Sequence, residues 1–174
     1  IGVQKEEAVV SAIKRFKHAV EAFHRDRKLR KLVAESTIEL RPDVAVMTLP
    51  KEFDWHALGK RVRLHHVVEG PNYTVVVLDE RALAGGDLGI QGADLRKGLA
   101  AITIRSTTEF MSTPGSLVYF ISPLSIHGIN LEEVMSCYTD KIMLLKLEDA
   151  HKAFSLLNEL ISESRQEMAR SKAI

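Results

Sequence analysis

Apolar residues recur at steps of three and four through the first part of the chain: Val9, Ala12, Ile13, Phe16, Ala19, Val20, Phe23, Leu29, Leu32 and Val33. That spacing lines one face of a helix, so residues 5–34 are expected to form a long N-terminal helix. The period then changes. In TIELRPDVAVMTL, residues 37–49, Val44, Val46 and Thr48 alternate with their neighbours and are β-branched, which predicts a strand. Pro42 predicts that this strand is interrupted or bent near its start. EFDWHALG, residues 52–59, predicts a short helix closed by Gly59. RVRLHHVV (61–68) and YTVVVLD (73–79) predict two more strands, and EGPN between them is turn chemistry, so a hairpin is expected.

Glycines at 85, 86, 89, 92 and 98 break up residues 80–98, where a loop with a short helical piece is expected. LAAITIR (99–105) has the continuous apolar character of a buried strand, and the polar loop STTEFMSTPGS follows. Ser112 or Thr113 is placed to cap the next helix, with Pro114 at its first turn. That helix, about 115–127, carries Leu117, Val118, Phe120, Ile121, Leu124 and Ile126 and ends at Gly128. Pro123 predicts a kink or an early break, since an interior proline costs about 3 kcal/mol. INLEEVMSCYTD and KIMLLKLE predict a strand pair turning near Thr139–Asp140. From Glu148 onward, Ala150, Ala153, Phe154, Leu157, Leu160 and Ile161 form the stripe of a last helix, whose polar end is expected to fray.

The second block therefore runs β-α-β-β-α, one strand short of a ferredoxin-like β-α-β-β-α-β unit. The first block runs β-α-β-β. The expected fold class is α+β: a ferredoxin-like β-α-β-β-α unit paired with a second, degenerate β-α-β-β block, plus the long N-terminal helix. The expected division is residues 1–34, 35–98 with the Gly-rich linker, and 99–174. Each half lacks something, so strands are expected to be shared within the chain or across a dimer.

Composition narrows the function. Apolar residues make up 45% and the net charge is +1, which gives no global drive toward nucleic acid or an anionic membrane. Charge is uneven, however. Residues 1–34 hold nine Lys and Arg against four Asp and Glu, so the remainder is acidic by four. Phosphate contact by Arg25, Arg27, Lys28, Arg30 and Lys31 is the alternative role for this helix; a solvated face, or pairing with the acidic remainder, is the commoner use of such a run. Cys137 is the only cysteine, which excludes an intramolecular disulfide and fits a reducing cytoplasm. With no base near it in sequence, it is expected to be buried, or packed at a sheet-to-sheet interface, rather than nucleophilic. No apolar run reaches about 18 residues, so no membrane helix is expected. The opening IGVQKEEAVV lacks the pattern of a secretory signal, and without an initiator Met the encoded protein is expected to start earlier. Neighbouring His65 and His66 are expected on opposite faces of a strand, unable to chelate one ion. His18 and His24 are not at ligand spacing, and GGDLGIQG is not a dinucleotide fingerprint. No catalytic set, metal or cofactor is expected.

TPGSLVYFISPLSIHGINLEEVMSCYTDKIMLLKLEDAHKAFSLL resembles an ACT domain, the small-molecule-sensing module of amino-acid metabolism. The marks are Pro114-Gly115 before the apolar helix, His127-Gly128-Ile129-Asn130 after it, the strand pair through Ser136, Tyr138 and Thr139, and the acidic opening of the last helix. The likeness covers roughly residues 99–161 and is nearest to the regulatory part of aspartate kinases. It implies a free-standing, non-catalytic regulator that binds an amino acid, joins sheets side by side as a homodimer, and acts on a partner enzyme. The residues support a site of that kind. A helix N-terminus offers unpaired N–H groups and partial positive charge to a carboxylate. Gly115 lets a ligand approach the backbone, and the Asn130 amide both donates and accepts. The expected ligand-binding residues are Met111, Ser112, Thr113, Gly115, Ser116 and Asn130.

Overall fold

The alternation of apolar residues in the strands is realised as one sheet with a helical layer. The computed structural model describes residues 27–83 and 88–172. In chain order the elements are α1 (Arg27–Ala34), β1 (Thr37–Pro50), α2 (Trp55–Gly59), β2 (Leu64–Glu69), β3 (Tyr73–Asp79), a 3-10 turn (Glu80–Leu83), β4 (Asp94–Arg105), α3 (Thr108–Ser112), α4 (Ser116–Ile126), β5 (Glu133–Cys137), β6 (Asp140–Lys146) and α5 (Leu147–Lys172). Most of the expected N-terminal helix, residues 1–26, lies outside the described residues; its last stretch is α1. Six strands pair antiparallel in the order β2-β3-β1-β4-β6-β5. The two long strands, β1 and β4, lie together at the centre, and two shorter strands flank each of them.

Two irregularities let the central strands run long. Pro42 and Asp43 form the first, where β1 slips register against β4 between Arg41 and Val44. Asp43 takes a left-handed φ of 57°. Pairing of β1 with β3 starts only at Val44, so the missing proline N–H costs that side nothing. The expected bend is therefore a bulge within one strand. The second lies opposite, at Gly98, with φ 70°. Its N–H donates to Glu80 Oε2 at 2.7 Å. Here the sequence expectation needs correction: β4 starts at Asp94, not 99, so the division at 98 falls inside a strand. Gly98 marks a bulge, not a strand end.

Ile38, Leu40, Ile102, Ile104, Met143 and Leu145 face the helices and meet Leu29, Leu32, Val33, Phe110, Phe120, Leu124 and Leu157 in the main core. Each such side chain, fully buried, contributes about 1.5–3 kcal/mol. A smaller core holds Met47, Leu49, Val76 and Leu78 under Leu58 of α2, with Phe53 and Trp55 at its edge. Asp54 caps α2 by accepting from His56 N at 2.9 Å, and Trp55 Nε1 donates to Glu69 at 2.7 Å. On the opposite face, Val44, Val46, Val77, Leu99, Ala101, Ile142 and Leu144 form a third cluster, built among the described residues from strand side chains alone.

Three further expectations change. The polar loop after β4 contains a short helix, α3, because Phe110 is pulled fully into the core. Pro123 does not break α4, which continues to Ile126. The polar end of α5 does not fray before Lys172: Arg165 donates to Ala34 O at 2.9 Å and Ser36 O at 2.7 Å, and Arg30 pairs with Glu167. Arg165 and Glu167 remain solvent-exposed but tie the helix end to the start of the described fold. The buried Ser36 completes that junction, donating to Leu32 O and meeting Ser106 Oγ at 3.0 Å. No helix among the described residues is long and apolar enough to cross a membrane.

Candidate functional site

The predicted loop is anchored by α3. Thr107 stands at its N-cap position, with its hydroxyl buried and without a hydrogen-bond partner. Ser112 Oγ and Thr113 Oγ1 both donate to Glu109 O, at 3.1 and 2.9 Å. Neither caps α4, contrary to the sequence expectation. Gly115 is the N-cap, in a left-handed conformation (φ 81°) and with no side chain to offer. Pro114 precedes the helix. Thr113 and Ser116 are buried, Met111 and Ser112 are exposed, and Gly115 is intermediate. The start of α4 therefore has no side-chain cap and carries the partial positive charge of a helix N-terminus, while the Ser116 N–H donates to Thr113 O at 3.3 Å.

Asn130 stands elsewhere. Eleven residues of α4 separate it from Gly115, about 16 Å at 1.5 Å per residue. One small molecule does not touch both within a single chain. Asn130 Nδ2 donates to Glu132 Oε1 at 3.2 Å. Glu132 Oε2 in turn accepts from Arg96 at 3.1 Å, and the second Arg96 nitrogen reaches Glu133 at 2.5 Å. The Glu133 hydrogen bond, ahead of the Glu132 contacts, holds the Arg96 guanidinium above its ordinary pKa against a cost from burial. Arg96 and Glu132 border a cavity of about 430 Å³ with Gly98, Lys146 and Glu148. Asn130 thus joins a charged network, while the α4 tip stands at the far end of its helix.

Some chemistry escaped the sequence reading. Lys141 is buried beneath α3, 5.6 Å from the Phe110 ring centroid, and donates to Tyr138 O at 3.2 Å. Desolvation pushes its pKa down, with Asp140 opposing. His65 and His66 line the same cavity rather than opposite faces. The cause is a register shift between Leu64 and His66, since an extra residue in a strand reverses the alternation. Adjacent histidines gave no sign of that bulge. Of the two expectations for Cys137, burial is not met: it is exposed, on the edge strand β5. Among the described residues, no group of three or more His, Cys, Asp or Glu is arranged to hold a metal ion.

Part of the basic N-terminal segment is engaged within the fold. Lys28 pairs with Glu109 at 3.3 Å and Arg30 with Glu167. Arg25 and the rest of that segment before Arg27 lie outside the described residues.

The sequence matches no family model and no curated protein. Its fold does have solved counterparts. The regulatory subunit of aspartate kinase from Thermus thermophilus, in a ligand-free form, is 18% identical with a TM-score of 0.56, over 71% of this chain and 95% of that one. An aspartate kinase from Clostridium acetobutylicum, described as an allosteric enzyme, is 15% identical with a TM-score of 0.60, over 71% of this chain and 34% of that one. A Vibrio cholerae protein of unknown function, described as a possible transport protein, is 18% identical with a TM-score of 0.60, over 78% and 97%. The chain thus corresponds to about a third of the whole Clostridium kinase and to nearly all of the regulatory subunit. The fold is that of the ACT-type regulatory domains of aspartate kinases.

Proposed function

We propose that this chain is a non-catalytic regulatory protein of amino-acid metabolism that binds an amino acid, works as a homodimer and acts on a partner enzyme. The observation that carries the reading is the likeness to a regulatory subunit over 95% of that subunit's length. The strand order supports a second point. Outward from the centre, β1, β3, β2 on one side mirrors β4, β6, β5 on the other, as two related β-α-β-β blocks would. The block expected over residues 35–98, ended where β4 begins, is then a degenerate second copy of the unit that starts with β4.

The site follows from the 16 Å argument. If Met111, Ser112, Thr113, Gly115 and Ser116 hold the carboxylate end of a ligand, Asn130 reaches the same molecule only from a second copy. Side-by-side pairing of sheets supplies that copy. The edge strand β5 leaves backbone groups unpaired, and Val134 on it and Tyr138 just beyond it are exposed, the state in which edges pair with another chain. Binding to one arrangement of the dimer in preference to another is what regulation requires.

A thermal-shift screen of the twenty amino acids at millimolar concentration tests the proposal. At ten times its Kd, a preferred ligand stabilises by about 1.4 kcal/mol, which for this chain length raises Tm by roughly 3–6 °C. Asn130→Ala should diminish that rise. If no amino acid moves Tm, the sensing role fails; if Asn130→Ala responds like the parent protein, Asn130 is not in the site.

A further inference from the structure

The face of the sheet away from the helices carries a cavity of about 170 Å³, the bulk volume of about five or six waters. Its floor is apolar: Val44, Val77, Ala101 and Ile142 are each at most 7% exposed. Its walls are polar and of both signs. Arg105 and Asp140 close one end as a bidentate pair, at 3.0 and 3.4 Å. Arg41 is engaged differently. Its Nη1 lies 3.1 Å from His65 Nδ1, while its nearest carboxylate among the described residues, Glu39, is 3.9 Å away. A guanidinium only donates, so His65 accepts at Nδ1 and carries its proton on Nε2. The β2 bulge brings His66 to the same cavity. An apolar floor under a few convergent polar groups is the usual make-up of a small-molecule site.

We infer that this cavity is a second binding site, for a small carboxylate, with Arg41 as its principal cation and His65 and His66 as neighbouring donors. The Arg105–Asp140 pair is closed, whereas the long Arg41–Glu39 contact leaves Arg41 able to take a better-placed carboxylate in charge-assisted geometry. The inference concerns residues on the other face of the sheet, none of them among those proposed for the α4 tip, and does not depend on the regulatory reading.

The site is pH-sensitive. Burial, then Arg41, then Arg63 lower the His65 pKa, with Asp79 opposing. Asp79 is itself held to about 2 by its hydrogen bond from Arg81. Burial, then Arg41, lower the His66 pKa, with Asp140 opposing. Glu39 and Arg105 are the other charged groups in the lining. Both imidazoles are therefore shifted toward their neutral forms in the free protein. A bound carboxylate offsets Arg41 and raises both pKa values, so the complex takes up protons. Affinity then increases as pH falls from the bound-state pKa values to the free-state ones.

The test is an NMR titration of the full chain, following the His65 and His66 Cε1–H signals between pH 5 and 8. Single His→Gln variants assign the signals, and exposed His127 serves as the reference. Succinate and acetate are the probes, with inorganic phosphate and chloride at matched ionic strength as comparisons. The expected result is a saturable rise of about half a pH unit or more in both pKa values with carboxylate. Arg41→Gln should weaken that binding about tenfold or more, and Asn130→Ala should leave it unchanged. Should Arg41→Gln fail to fold, Arg41→Lys must retain a weakened response, because it keeps the charge and loses the fork. Carboxylate acting no better than chloride overturns the site. Phosphate acting as well as succinate overturns its assignment to carboxylates. Undiminished binding by either Arg41 variant overturns the role of Arg41.

Discussion

Phe120→Ala should lower the stability of the folded chain by about 3–5 kcal/mol, the usual cost of removing a buried aromatic ring. Phe120 is fully buried on α4 and packs against Phe110 of α3, with ring centroids 5.4 Å apart. The same core includes Ile102 and Met143 of the sheet and Leu157 of α5. The cavity left behind is bounded by a sheet and a 26-residue helix, neither of which can collapse into it, so the cost belongs at the upper end of the range. Against a typical total of about 5–15 kcal/mol, the urea midpoint should fall steeply with little change in slope. Val118→Ala, on the same helix but half exposed, should stay within about 0.5 kcal/mol. Equal losses for the two variants would show that this face of α4 is not the packed one.

Pro123→Ala should act in the opposite direction. Proline at an interior helical position costs about 3 kcal/mol, because it lacks the N–H and its ring crowds the preceding turn. Alanine loses about 0.4–1 kcal/mol of the advantage proline has in the unfolded chain, so a net gain of roughly 2 kcal/mol is expected. The last turn carries its own restraints: His127 N and Nδ1 both donate to Pro123 O, at 3.2 and 2.8 Å, and Lys152 Nζ donates to His127 O at 3.0 Å. Burial of Phe120 and Leu124 on either side of the proline outweighs its penalty. A urea midpoint unchanged or lowered by the substitution would mean that the helix has already relaxed around the ring.

These two positions mark the boundary of what the chain discloses without coordinates. The stripe Leu117–Leu124 was legible because a 3.6-residue period survives any partner, and Val44, Val46 and Thr48 were legible for the matching reason in a strand. Bulges were not. Gly98 looked like the end of a loop because a glycine with positive φ is common to loops and bulges, and only the pairing of Arg96 with Val46 and Leu99 with Val44 separates the two. The same cause hid the convergence of His65 and His66. Phe110 gives no signal in the sequence because one buried aromatic in a polar loop carries no periodicity. Arg165 lies in the polar run that reads as a fraying end, since its acceptors, Ala34 and Ser36, are distant in sequence. The Pro-Gly pair lies just before the start of α4, although Gly115 rather than Ser112 or Thr113 is the N-cap and Pro114 precedes the first turn instead of lying in it. The pairing of that start with Asn130 assumed a closeness that the length of α4 denies within one chain.

The central claim is that an amino acid binds where the tip of α4 meets a second copy. The measurement that tests it most directly is a titration of the isotopically labelled full chain with each amino acid, followed through backbone amide NMR signals and the side-chain amide of Asn130. The account predicts that one amino acid moves the Thr113, Gly115 and Ser116 amides together with the Asn130 side chain, saturably and at a single Kd. Shifts of the tip without Asn130, or no saturable shift at either place with any amino acid, would contradict it.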